Sequence, residues 1–89
     1  MRVWEGDVQI HFNNLTQNIM DDYKIIIFYI SEQLPDSVLF NLADFEIIEF
    51  SEETMVVLSN DREWIVKFNN VYTYDNKVCI DYEFFVIRE

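Results

Sequence analysis

The chain has 89 residues, 51% of them hydrophobic and 17% aromatic, with one Gly and one Pro; this composition describes one folded domain with one core and excludes a disordered chain. Seventeen Asp and Glu against six Lys and Arg give a net charge of −11, a field that repels phosphate backbones and anionic lipid. Direct nucleic-acid binding and membrane binding are therefore disfavoured, and a basic protein partner is favoured, including one that itself binds nucleic acid.

Taken in chain order, Val3 to Phe12 alternates. Val8, Ile10 and Phe12 fall on one side and Asp7, Gln9 and His11 on the other, as in a half-buried strand. This N-terminal segment lacks the layout of a secretory signal, and no apolar run approaches the roughly 18 residues that would span a bilayer, so a cytoplasmic protein is expected.

The next block, from Ile19 to Leu34, is read as the long helix. At about 100° per residue, Ile19, Met20, Tyr23, Ile26, Ile27, Ile30 and Leu34 share an arc of about 120°, the width of a core-facing stripe. Thr16 or Asn14 can cap its start, Asp21 and Asp22 suit the positive end of its dipole, and Pro35 stops it. The β-branched run Ile25-Ile26-Ile27 makes a strand the runner-up. Asp36 is placed to cap a second, short helix over Ser37 to Ala43, with Val38, Leu39 and Leu42 inward.

From Phe45 the period changes to two. Four strands read as FEIIEF, TMVVLS, EWIVKF continued by VYTY, and KVCIDYEFFVIR, separated by polar turns at Ser51-Glu52-Glu53, Asn60-Asp61-Arg62 and Asp75-Asn76. A two-residue Asp75-Asn76 turn pairs Tyr74 with Lys77, but carried on unchanged that register mixes apolar and polar faces. A β-bulge at Asn69-Asn70 repairs it, setting Trp64, Val66 and Phe68 against Val86, Phe84 and Tyr82, and Lys67 against Glu83. The fold expected is α+β: an N-terminal strand, one long and one short helix, then a four-stranded antiparallel β-meander with the long helix on one face. Its other face would carry Ile65, Phe85 and Ile87 beside Lys67, Asp81 and Glu83, more apolar than a wet face requires.

Little in the chain resembles catalytic equipment. Asp7 and His11 share a strand face but lack an evident third ligand, so a solvated face is favoured over a metal site. Cys79 stands near Asp81 with no assured basic neighbour, the setting of a structural thiol. Carboxylate pairs such as Asp81/Glu83 arise by chance among so many acids, and no P-loop or nucleophile elbow accompanies them. No enzyme activity and no cofactor are expected.

The long helix has six consecutive apolar residues, Ile25 to Ile30, more than one face can bury. Ile25, Phe28 and Tyr29 fall away from the core stripe, among Asp21, Asp22 and Glu32, which has the makeup of an interface with an apolar centre and a charged rim. The competing reading is that the short helix or the N-terminal strand covers them. Glu49, Glu52, Glu53, Asp61 and Glu63, toward the hairpin ends, extend the acidic set. Such a set can imitate a phosphate array and occupy the basic groove of a nucleic-acid-binding protein, although a merely solubilising surface is the commoner outcome.

In size, acidity and lack of catalytic parts the chain resembles small phage and mobile-element proteins that inhibit host enzymes, anti-CRISPR and anti-restriction proteins among them, a likeness of composition and not of motif. The function expected is that of a non-catalytic acidic module that inhibits a basic, nucleic-acid-handling protein. The rivals are a structural homo-oligomer, such as a homodimer hiding one apolar face, and an immunity protein that neutralises a basic toxin.

Overall fold

The computed structural model describes residues 3–16, 18–35, 38 and 40–88, with Arg88 described by its backbone. Strand β1 (Val3–His11) runs into a 3-10 turn, Phe12–Asn14, and then α1 (Ile19–Gln33). Strands β2 (Phe45–Phe50), β3 (Thr54–Ser59), β4 (Arg62–Tyr74) and β5 (Lys77–Arg88) follow. All pair antiparallel in one five-stranded sheet of order β1-β5-β4-β3-β2.

Two parts of the expected architecture are corrected. The N-terminal strand is not separate from the meander: β1 pairs with β5 from Val3↔Phe85 to His11↔Lys77, making a fifth strand and burying Val8 and Ile10. Without it, the twelve-residue β5 would present a long unpaired edge. The second correction concerns the short helix over residues 37–43. Asp36, Ser37 and Leu39 lie outside the described residues, and the described remainder is a turn. Its backbone groups go elsewhere. The Ser59 hydroxyl accepts from Asn41 N (2.9 Å) and lies within donating distance of the Asn41 and Asp44 carbonyls (3.1 and 3.2 Å), while the Asn41 side chain accepts from Ala43 N. The protein is thus mostly sheet, with one α-helix among the described residues.

Strands β2 to β5 keep the expected order, but Arg62 opens β4 instead of belonging to the turn, and the register also shifts between Ile47 and Glu49 and between Glu63 and Trp64. Asn60-Asp61 and Asp75-Asn76 are two-residue turns with positive φ at both positions, as a type I′ hairpin turn requires. Between β4 and β5 the register shifts between Phe68 and Asn70, the expected bulge, with Phe68 opposite Tyr82, Val66 opposite Phe84, Trp64 opposite Val86 and Lys67 opposite Glu83.

The core lies between α1 and one sheet face. Ile27 and Ile30 from the helix meet Val8, Ile10, Met55, Val57, Trp64, Val66, Ile80, Tyr82 and Phe84 from the strands. Trp64 and Phe84 stack with centroids 5.3 Å apart, and Phe40 sets its edge against both from the turn after the helix. Phe40, not Leu42, anchors that turn beside the core: Leu42 lies to the side, in a hollow with Phe28 and Phe45. The helix start differs too, since Asn18 is the cap, its side chain accepting from Asp21 N, and not Thr16 or Asn14. Its end at Gln33, with Leu34 as cap, precedes Pro35 as the sequence indicates.

Candidate functional site

A cleft of about 680 Å³ lies between the N-terminal half of α1, the β2–β3 turn and the far part of the β4–β5 ribbon. Ile19, Tyr23 and Ile26 line it from the helix, and Phe68, Val71, Val78 and Ile80 from the sheet. The bulge explains why it opens there. An extra residue bends its strand and increases the local twist, and both Asn69 and Asn70 are part of the cleft wall.

Three of the expected acidic residues, Asp22, Glu52 and Glu53, converge on this cleft from elements distant in sequence. Their settings differ. The Asp22 carboxylate accepts from Thr16 N (2.8 Å) and Thr16 Oγ1 (3.0 Å), tying down the entry to α1, so part of its capacity is already used. Glu52 and Glu53 are exposed on a turn held from several directions. The Ser51 hydroxyl accepts from the Glu53 and Thr54 amides, Phe68 N donates to the Glu53 carbonyl, and the Tyr23 hydroxyl donates to the Ser51 carbonyl at 2.7 Å. Tyr23 itself stacks on Phe68 and lies tilted against Phe50. Burial, and then the Glu52 carboxylate, hold its phenol above the ordinary tyrosine value.

The remaining residues of the expected interface disperse. Ile25 and Tyr29 are only partly exposed and pack against the core. Ile25 shares a shallow hollow with Lys24, Phe28, Leu42 and Phe45, and Asn14 Nδ2 donates to the Tyr29 hydroxyl. Of the surplus apolar trio, Phe28 remains 44% exposed, its ring edge-on to Tyr29. Two of the three are thus half-buried, flanked by Leu42 and Phe45 and by Asn14 and not by a short helix or the N-terminal strand. Asp21 and Glu32 are exposed on the helix, Glu49 lies on the sheet face away from it opposite Val56, and Asp61 and Glu63 sit at the β3–β4 turn. That turn is a whole strand, about 17 Å, from Glu52 and Glu53. The eight acidic and three apolar residues of the expected interface do not form one patch.

Other acidic residues were not among those expected to bind a partner. Glu5 stands opposite Glu83, and Asp7 opposite Asp81, on the face turned from the helix. Strand parity already grouped Glu5 with Asp7 and Asp81 with Glu83; what brings the two pairs together is the β1–β5 pairing between the chain's two ends, which no local pattern announces.

Chemically, the cleft lining offers carboxylates, two amide side chains and apolar walls. That is equipment for holding a cation with a hydrocarbon body. Among the described residues no group of three or more His, Cys, Asp and Glu side chains could hold a metal, and no helix is long and apolar enough to cross a membrane. Cys79 is a buried free thiol on the opposite side of the sheet.

No family model matches the sequence, and no curated protein or solved structure is significantly similar to it. The compositional likeness to anti-CRISPR and anti-restriction proteins gains no support from these comparisons, and the mostly-sheet fold is what replaces the mixed helix-and-meander layout.

Proposed function

We propose that this protein is a non-catalytic binding module for a basic protein, which it engages at the cleft between α1 and the β2–β3 turn. The convergence of Asp22, Glu52 and Glu53 on an otherwise apolar cleft carries the reading. A lysine or arginine on the partner can lay its hydrocarbon stem along Ile19, Tyr23, Phe68 and Val71 and leave its charge among the carboxylates at the mouth. The net charge of −11 adds long-range steering toward a positive visitor. Proteins that handle nucleic acid present lysine and arginine to its phosphates, and occupying such a basic surface would inhibit them.

The test separates this charge from the fold. Asp22 is unsuitable for it, because its carboxylate supports the helix entry. Glu52→Lys with Glu53→Lys changes only exposed turn side chains. Capture from the native cell with the wild-type chain should retain a basic protein that the double variant loses by about tenfold or more. The captured complex should also weaken between about 0.1 M and about 1 M salt, as the Debye length shrinks from about 10 Å to about 3 Å. A partner that is acidic, or that binds the double variant equally well, would refute the assignment.

A further inference from the structure

The sheet face turned away from α1 displays an order that its register fixes. Glu49, Val56, Ile65, Phe85 and Val3 form one row across all five strands. On one side Leu58, 37% exposed, stands between Glu46 and Glu63 in the next row, and Ile87, 46% exposed, sits at the register shift beside Phe85. On the other side the next two rows place Glu83 opposite Glu5 and Asp81 opposite Asp7, with Lys67 opposite Glu83 as the neighbouring cation. The helix and the turn carrying Phe40 lie on the opposite face; along the strip Val56, Ile65 and Phe85 are half-buried and Val3 is exposed.

Two features set this face apart from an ordinary wet one. An apolar strip spanning about 14 Å across four strands stands half-accessible on this face although alternation would readily have supplied polar residues. Beside it, two successive cross-strand pairs put like charges directly opposite each other, an arrangement that costs stability. Four carboxylates within about 5 by 7 Å form a fixed negative field along one border of the strip.

We propose that this face is a docking surface separate from the cleft, and that its occupant is a protein surface with an apolar strip bordered by lysine or arginine side chains. Charge complementarity selects that occupant. A second copy of the chain would bring the same carboxylates to the contact and add another eleven negative charges, whereas cations in register with Glu5, Glu83, Asp7 and Asp81 turn the repulsive pairs into attractive ones. The apolar strip supplies the desolvated centre and the carboxylates the rim.

A synthetic amphipathic peptide of leucine and lysine serves as probe, titrated into the isotope-labelled 89-residue chain and followed by amide chemical shifts. The expected result is that shifts concentrate at Val56, Ile65, Phe85, Glu5 and Asp81, persist in the Glu52→Lys/Glu53→Lys variant, and weaken about tenfold in affinity in a Glu5→Lys/Asp7→Lys variant. Phe85→Ser should weaken binding as well; the charge variants alter exposed side chains and remain informative if that substitution disturbs the sheet. Shifts confined to the cleft, or equal affinity for a lysine peptide without leucine, would overturn the proposal. So would a sedimenting dimer that Phe85→Asp dissociates, since the occupant would then be a second copy. Because the cleft variant is scored separately, loss of one site leaves the other standing.

Discussion

Gly6 lies on β1 where the side chains of Tyr82 and Gln33 meet. A Cβ at this position would come within 2.8 Å of the Tyr82 hydroxyl oxygen and 3.0 Å of Gln33 Oε1. The absence of a side chain thus admits the 2.6 Å hydrogen bond that Tyr82 donates to Gln33, while Gln33 Nε2 donates to the Asp7 carbonyl. One residue at the helix end is thereby joined to both β1 and β5. Gly6→Ala should destabilise by about 1–3 kcal/mol, because the hydroxyl must move out of a packed position. Tyr82→Phe should cost about 0.5–1.5 kcal/mol, and Gly6→Ala should cost less in the Tyr82→Phe background, where the nearest clashing atom is gone. Denaturant titration of the four chains tests this; strictly additive effects would mean that the alanine does not act through Tyr82. The same burial gives Tyr82 a pH signature. Desolvation, and then the Asp7 carboxylate, raise its phenol above the ordinary value. The unfolded chain therefore releases this proton first as pH rises, and its contribution is full below about pH 10 and declines from there toward the folded-state pKa. Tyr23, raised by burial and Glu52, acts in the same direction. Unfolding free energy should fall above about pH 10, and Tyr82→Phe should lessen that fall.

At the scale of elements, the hairpins show how far local chemistry reaches. Asn60, Asp61, Asp75 and Asn76 hold φ between 52° and 60°, a region that Asn and Asp tolerate and glycine occupies without strain. Asp61→Gly and Asn76→Gly should each raise stability by roughly 0.5–1 kcal/mol, read as a higher melting temperature; a lower one would show that the aspartate or asparagine side chain contributes more than its backbone strain removes. These turns, the strands they join and the bulge at Asn69 were legible because alternation in β4 and β5 left only one register that set Trp64, Val66 and Phe68 against Val86, Phe84 and Tyr82. Segment 40–44 was not legible. Its structure depends on the buried Ser59 hydroxyl and on Phe40 entering the Trp64–Phe84 stack, both long-range contacts without periodicity. The same reason hid the fate of Ile25 and Tyr29, since a helical wheel gives their direction but not the neighbours that flank them. Of the eleven acidic and apolar residues considered for binding, the three that converge do so through the β2–β3 turn reaching the helix, a contact made by Tyr23 and Ser51 and invisible in either segment alone.

For the molecule as a whole, charge is the term that sequence and structure express together. A net −11 is carried on a body of 38 × 23 × 22 Å, so most charges lie within a few Debye lengths of one another at low salt. The acids are not gathered at one pole: they border the cleft, occupy the β1–β5 face as opposed pairs and mark the β3–β4 turn. Folding brings them closer than the extended chain holds them, and the compact state therefore bears a self-repulsion that the unfolded state largely escapes. Sodium chloride should consequently stabilise the fold, with the melting temperature rising steadily from about 0.02 M to about 1 M as screening shortens, whereas a protein held by favourable ion pairs would lose stability over that range. Glu5→Lys should reproduce part of this gain at low salt by turning the Glu5–Glu83 opposition into an attraction worth about 0.2–1 kcal/mol, and the extra stability should shrink as salt is added. A melting temperature indifferent to salt, or lowered by it, would show that the carboxylates are compensated within the fold and would remove the reason to seek a cationic partner for them.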